Sequence, residues 1–392
     1  MAARLVGVEV GAAKVPVTPQ KPVYLAGLGH GRLSVGVHDE LFARALVVCE
    51  GSKVVALVGV DSIGVMRDHL LPLKEKLAAR GVLLLLGSTH DHSSPDTIGL
   101  WGPEPGVSGF DEECMELLLS GVEEAVEKAL EEAGRGVLEL GSAALPQGVA
   151  KNTRNPDLLD REIPFIIARS RGRAVATLVN FGLHPEVLWR DNRLVTADFV
   201  HYLCRELEEA VGGVAVFLNG ALGGMVTPDV ADHTFEEAER VGVTLARAVL
   251  ERISRAKARV EASCELAFAS KPVELPVHNA LLAEAARAGI VKRRVGDPPT
   301  VETEVSVLEL RPFASVAALP GEPLPAVGLR VKGMLGRPYR LLVSLCNDEI
   351  GYIIERDDWD PRRYEESMSL GPLTCELLLS ALSELLQLLQ RL

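Results

Sequence analysis

The sequence predicts an α/β fold, a single large domain over residues 1–392 built on a mixed or largely parallel sheet. Two observations carry this. Short apolar runs rich in Val, Leu and Ala alternate with longer stretches of helical spacing along the whole chain. The runs at 43–50, 54–60 and 82–86 are apolar on consecutive positions, the pattern of strands covered on both faces.

In chain order, strands are expected over 5–10, 43–50, 54–60 and 82–86, with a helix over 67–80 between the last two. A long acidic amphipathic helix follows over 111–133, then strands over 136–140, 164–168 and 174–179. A helix over 198–211, a strand over 214–218 and a helix over 234–256 come next. The last of these opens with Thr234 and Glu237 at capping-box spacing. A strand over 260–268 and a helix over 280–288 lead to the Gly-Asp-Pro-Pro turn at 296–299. Strands over 304–310 and 315–319, a helix over 323–332, a strand over 340–345 and a helix over 371–392 complete the chain. No internal repeat or low-complexity linker interrupts it.

Composition narrows the function. A formal charge of −13 opposes binding to nucleic acid or an anionic membrane, since both need clustered Lys and Arg. The one basic cluster, Lys292-Arg293-Arg294, reads as a solvated loop. The longest apolar run, 81–87, is far shorter than the roughly 18 residues of a membrane span. The N-terminus lacks the pattern of a signal peptide. Six cysteines are scattered without CxxC spacing, which suits buried free thiols in a reducing compartment. A cytoplasmic location is expected. Only four glutamines occur, a depletion of thermolabile amides in the direction seen in thermophiles.

Chemistry concentrates where predicted strands end. Thr89-His90-Asp91-His92-Ser93 follows the strand at 82–86, and histidines at i and i+2 leaving a strand project to one side. Ligands bind at strand carboxyl ends in open α/β sheets, and neutral imidazole suits zinc. His184, in Asn180-Phe181-Gly182-Leu183-His184-Pro185, stands in the same relation to the strand at 174–179. The glycine-rich Asn219–Asp229 segment follows another strand, where its backbone could approach a ligand or form a tight turn. It lacks the lysine and spacing of a phosphate loop. Pro320-Gly321-Glu322-Pro323 sets a carboxylate at a strand-to-helix junction. Asn347–Tyr352 and Arg363–Ser367 bring two of the chain's five tyrosines close in sequence.

Together these segments resemble the neutral/alkaline ceramidases, a family of zinc-dependent amide hydrolases. The resemblance runs from Val6-Gly7 and Val15-Pro16-Val17-Thr18-Pro19, through Ala26-Gly27-Leu28-Gly29, Gly36-Val37-His38-Asp39 and Ala43-Arg44-Ala45, to Tyr364-Glu365. It implies a Zn²⁺ ion held by His90, His184, Glu322 and Tyr352. His92 is then the acid/base residue, and Tyr364 and Arg154, the latter in Asn152-Thr153-Arg154-Asn155, face the substrate carbonyl. The family's Gly-Asp-Val-Ser-Pro-Asn loop stands here as Gly224-Met225-Val226-Thr227-Pro228-Asp229. Methionine replaces its aspartate, and Thr227 stands at the position of its catalytic serine. The implied chain is a short form without the family's C-terminal sandwich domain, acting on a small or lipid-like N-acyl amide. Two other enzyme readings are an esterase and a metallo-β-lactamase type, although Ser93-Ser94-Pro95 lacks the Asp-His pair the latter needs. A non-catalytic metal- or ligand-binding relative is the reading from a different class.

Overall fold

The computed structural model describes residues 8–255, 260–261 and 264–391. Of the expected elements, positions 5–7, 256, 262–263 and 392 lie outside the described residues. The main sheet is built from β1 (Val8–Pro16), β2 (Phe42–Glu50), β3 (Lys53–Val60), β4 (Val82–Ser88), β5 (Gly134–Ala144), β6 (Glu162–Ser170), β7 (Arg173–Phe181) and β8 (Val214–Asn219), with the two-residue strand Val260–Glu261 paired antiparallel to β5 off this path. Their spatial order is β8-β7-β6-β5-β1-β2-β3-β4. The β3–β4 and β7–β8 pairs are parallel and the pairings between them antiparallel, so of the two expected forms the sheet is the mixed one.

A second sheet runs β9 (Glu265–Pro276), β10 (Thr300–Arg311), β11 (Ala314–Ala318) and β12 (Tyr339–Val343). It explains the consecutive apolar positions. In β2, Ala45 and Val47 face helices α1 (Arg67–Ala78), α2 (Glu112–Glu131), α3 (Phe199–Val211) and α4 (Phe235–Arg255). The alternate residues Leu46 and Val48 face the second sheet, where they meet Leu308, Leu310, Val316 and Leu341. The second face is thus covered by strands and not by helices. Outside the second sheet lie α5 (Ala280–Arg287), α6 (Pro325–Met334) and α8 (Thr374–Arg391), packed on Leu275, Val305 and Leu342. The layers are α/β/β/α. A short helix α7 (Tyr364–Ser367) lies between α6 and α8 in sequence.

Buried amides fasten these layers where the strands end. Asn180 donates to Leu218 O and Leu342 O, both at 2.8 Å, and accepts from Leu342 N at 3.1 Å, joining the two sheets. Asn219 donates to Thr89 O at 2.8 Å and Leu183 O at 2.9 Å, tying the segments that follow β4 and β7 to the end of β8. The strands approach closely here: a Cβ on Gly59 would lie 2.4 Å from Phe217 O. No described helix is long and apolar enough to cross a membrane. All six cysteines are free and buried.

Replacing Asn180 with leucine strands three backbone groups in a dry interface. The expected loss is about 2–4 kcal/mol of unfolding stability, read by chemical denaturation. A loss within about 0.5 kcal/mol, the scatter of ordinary surface substitutions, would contradict this role.

Candidate metal centre

Three histidines, a glutamate and a tyrosine converge beyond the ends of β4, β7, β11 and β12. His90 and His92 leave β4, and His184 leaves β7. Glu322 follows β11 and lies in register with Tyr352 through a two-residue parallel pairing, Glu322–Pro323 on Tyr352–Ile353. The chain bends sharply to reach this point, with His90 at φ 66° and Asn347 at φ 61°. His90, His92, His184, Glu322 and Tyr352 are all buried.

The hydrogen bonds set the ring states. His90 Nδ1 lies 2.6 Å from Ile63 O and His184 Nδ1 2.9 Å from Val226 O. A carbonyl can only accept, so each Nδ1 carries the proton and each Nε2 faces inward. Both Nε2 atoms meet the same oxygen, Glu322 Oε2, at 3.4 Å from His90 and 3.2 Å from His184. Burial holds His90 below the usual histidine range, so its Nε2 lone pair confronts a carboxylate oxygen. Two acceptors at that distance need a cation or a proton between them. In His184 burial opposes the charge, but the hydrogen bond to Glu322 and the nearby Glu186 and Glu322 charges outweigh it, raising the group to about 9. The Glu322 carboxylate is held below its usual range by the two histidines and Tyr352, against the effect of burial.

Ring nitrogens of His90, His92 and His184 stand close enough together to hold an ion, and so do His90, Glu322 and Glu349. The donors of the first set and of Glu322 are the nitrogen and oxygen types that zinc takes. Tyr352 is buried beside Glu322, its hydroxyl 3.5 Å from Met225 Sδ, and burial raises its phenol well above the ordinary value.

The remaining expected residues lie around this cluster. His92 has neither ring nitrogen hydrogen-bonded, and burial holds it well below the usual range, hence neutral. Tyr364 opens α7 at the mouth of the site, 54% exposed, its ring 6.1 Å from that of Tyr352. Thr227 is half-buried on a short strand paired with Ala150–Asn152 and borders Glu186. Arg154 reaches the same region with its guanidinium engaged: Nε donates to Asp358 at 2.9 Å, Nη2 to Glu366 at 2.7 Å, and Nη1 lies 3.3 Å from Glu365.

Sequence reasoning passed over Glu186 and Glu349. Glu186 follows His184 at the i+2 spacing that singled out His92 after His90, so the same rule marks it. Glu349 was in view within the Asn347–Tyr352 segment, but nothing in the pattern gives it a role. Its Oε1 accepts from Gly351 N at 2.6 Å, while Oε2 is buried without a partner. The cluster opens into an apolar cavity lined by Ile63, Met66, Ile98, Trp101, Val291 and Leu370 among others. The cavity draws on distant segments and has no local sequence signature.

No protein-family model matches the sequence, and no curated protein is similar to it in sequence. Solved structures do match. The neutral ceramidase from Pseudomonas aeruginosa superposes with a TM-score of 0.82 at 17% identity, covering 99% of this chain and 75% of the ceramidase. A ceramidase complexed with C2 superposes at 0.80 and 16% identity, covering 98% of this chain and 76% of the other. Over nearly its whole length, this chain has the fold of the neutral ceramidases.

Proposed function

We propose that the chain is a zinc-dependent hydrolase that cleaves an amide (N-acyl) bond in a small or lipid-like substrate. The observation that carries the reading is the meeting of His90 Nε2 and His184 Nε2 on one oxygen of Glu322, with both Nδ1 atoms tied to backbone carbonyls. His90, His184, Glu322 and Tyr352 would hold the ion. Zinc there would polarise the substrate carbonyl and activate water for attack. The tyrosine is an unusual donor, and its raised phenol would ionise only beside the cation.

The other roles follow from this chain's own groups. His92 is neutral and unpaired, so it can accept the proton of the attacking water and pass it to the leaving amine. Tyr364, raised to about 12, keeps its proton and donates to the developing oxyanion at the site's mouth. Arg154 acts at one remove, because its carboxylate partners Glu365 and Glu366 lie on α7 and fix the helix that begins with Tyr364. The apolar cavity suits an acyl or alkyl chain. The free, buried cysteines suit a reducing compartment, and we place the protein in the cytoplasm.

Metal uptake tests the ligand set and its pH dependence together. In the metal-free protein His184 is raised from 6.5 to about 9, so its contribution to stability is complete below 6.5 and lost as pH rises through 9. Zinc must displace that proton. Because the Tyr352 phenol also gives up its proton beside the ion, zinc affinity should climb about a hundredfold per pH unit through neutrality and about tenfold per unit once His184 has lost its proton. Purified protein should carry about one zinc per chain. His184→Ala and Glu322→Gln should both lose metal, the former with its share of the pH dependence. Full zinc occupancy in both variants would remove these residues from the metal's ligands.

Thr227 supports the site without acting as a nucleophile. A threonine nucleophile needs a base committed to it; Met225 stands in place of the family's aspartate, and Glu186, the carboxylate beside Thr227, also faces His92. A reactive acyl probe should leave Thr227 unmodified by peptide mass mapping; a covalent adduct on its hydroxyl would reverse this assignment.

A further inference from the structure

Glu186 is a buried carboxylate that the proposed chemistry leaves without a task. It is 2% exposed, and neither of its oxygens has a hydrogen-bond partner in full geometry, although the Thr227 hydroxyl lies beside it. Such a group is costly to bury and persists where something near it needs a fixed acceptor. Its Oε2 lies 3.4 Å from His92 Nδ1, a few tenths of an ångström beyond a full hydrogen bond.

His92 is otherwise held by its backbone and by shape. Its N–H donates to Pro185 O at 3.1 Å, and its carbonyl accepts from Arg32 at 3.0 Å. The ring packs on Gly27, where a Cβ would come within 2.4 Å of Nδ1. Among the described residues, Glu186 supplies the carboxylate within 4 Å of a His92 ring nitrogen, and it stands on the Nδ1 side. We infer that Glu186 is the positioning residue of His92, accepting Nδ1–H and leaving Nε2 as the free nitrogen of the working tautomer. Pro185 couples the two, because its carbonyl anchors the His92 backbone while the next residue supplies the carboxylate. His184-Pro185-Glu186 thus serves two functions, a metal ligand and the orienting of the proton carrier. The kinetic part of this inference rests on His92 acting in proton transfer; the hold on its ring does not.

The test uses the zinc-loaded full chain with ring-¹⁵N histidine, the His92 signals being assigned by their loss in His92→Ala. Wild type should show a single Nδ1–H tautomer at His92. Glu186→Leu, which keeps the volume and removes the acceptor, should lose it, and Glu186→Gln, whose amide oxygen can still accept, should retain it. With N-octanoyl-p-nitroanilide as probe, Glu186→Leu should lower kcat about 10–100-fold with KM and zinc content unchanged. In the His92→Ala background it should add nothing further. An unchanged His92 tautomer in Glu186→Leu, or loss of zinc from it, would overturn the inference. A wild-type rate in His92→Ala would instead refute the role proposed for His92 above, and the tautomer would still decide the case for Glu186.

Discussion

Burying three imidazoles beside two carboxylates is tolerable only if their charges and lone pairs are matched, and Glu322 is where that matching occurs. Its Oε2 is shared by the inward nitrogens of His90 and His184. Removing that carboxylate would take from His184, at 0% exposure, the hydrogen bond that most favours its charged form, and burial would drive the imidazole toward neutrality. The same arrangement separates the two rings electrically. His184 has Glu186 as well as Glu322 near it and is raised, whereas His90 is dominated by burial and is lowered. A divalent cation satisfies all three groups at once, which a single proton cannot.

The site exists because the two sheets end at the same place. Asn180, Asn219 and Asn347 spend their amides on backbone groups at these junctions, fixing the segments that carry His90, His184 and the Asp348–Tyr352 turn. Several residues there, among them His90, Met225, Leu345 and Asn347, adopt positive φ, a conformation that costs a non-glycine residue roughly 1–3 kcal/mol. Strain collected at one site, with tight packing around it, is the pattern of a fold that holds its reactive groups rigid before a substrate arrives.

Much of this was legible in the sequence because it is local. The runs at 43–50, 54–60 and 82–86 became β2, β3 and β4 because burial on both faces leaves an unmistakable apolar pattern. His90 and His184 could be placed at strand ends for the same reason. Glu322 was read correctly as lying at a strand-to-helix junction, but its helix, expected from 323, begins at Pro325. Residues 322–323 pair instead with Tyr352–Ile353, a contact of long sequence separation that no local pattern encodes. That pairing sets the carboxylate beside the tyrosine. β1 was expected over 5–10 and extends to Pro16, because its register against β2 outweighs weak local alternation. The engagement of Arg154 by three carboxylates and the apolar cavity also depend on tertiary placement.

In the function proposed for this chain, the Glu322 cluster holds a metal that supports amide hydrolysis. Turnover of a panel of N-acyl amides, with simple esters beside them, tests it directly when measured on the zinc-loaded protein, after chelation and after zinc is returned. Amine release from at least one amide is expected, abolished by chelation and restored by zinc. Amide turnover that survives complete removal of the metal, or a fully zinc-loaded protein inert across the panel, would contradict it.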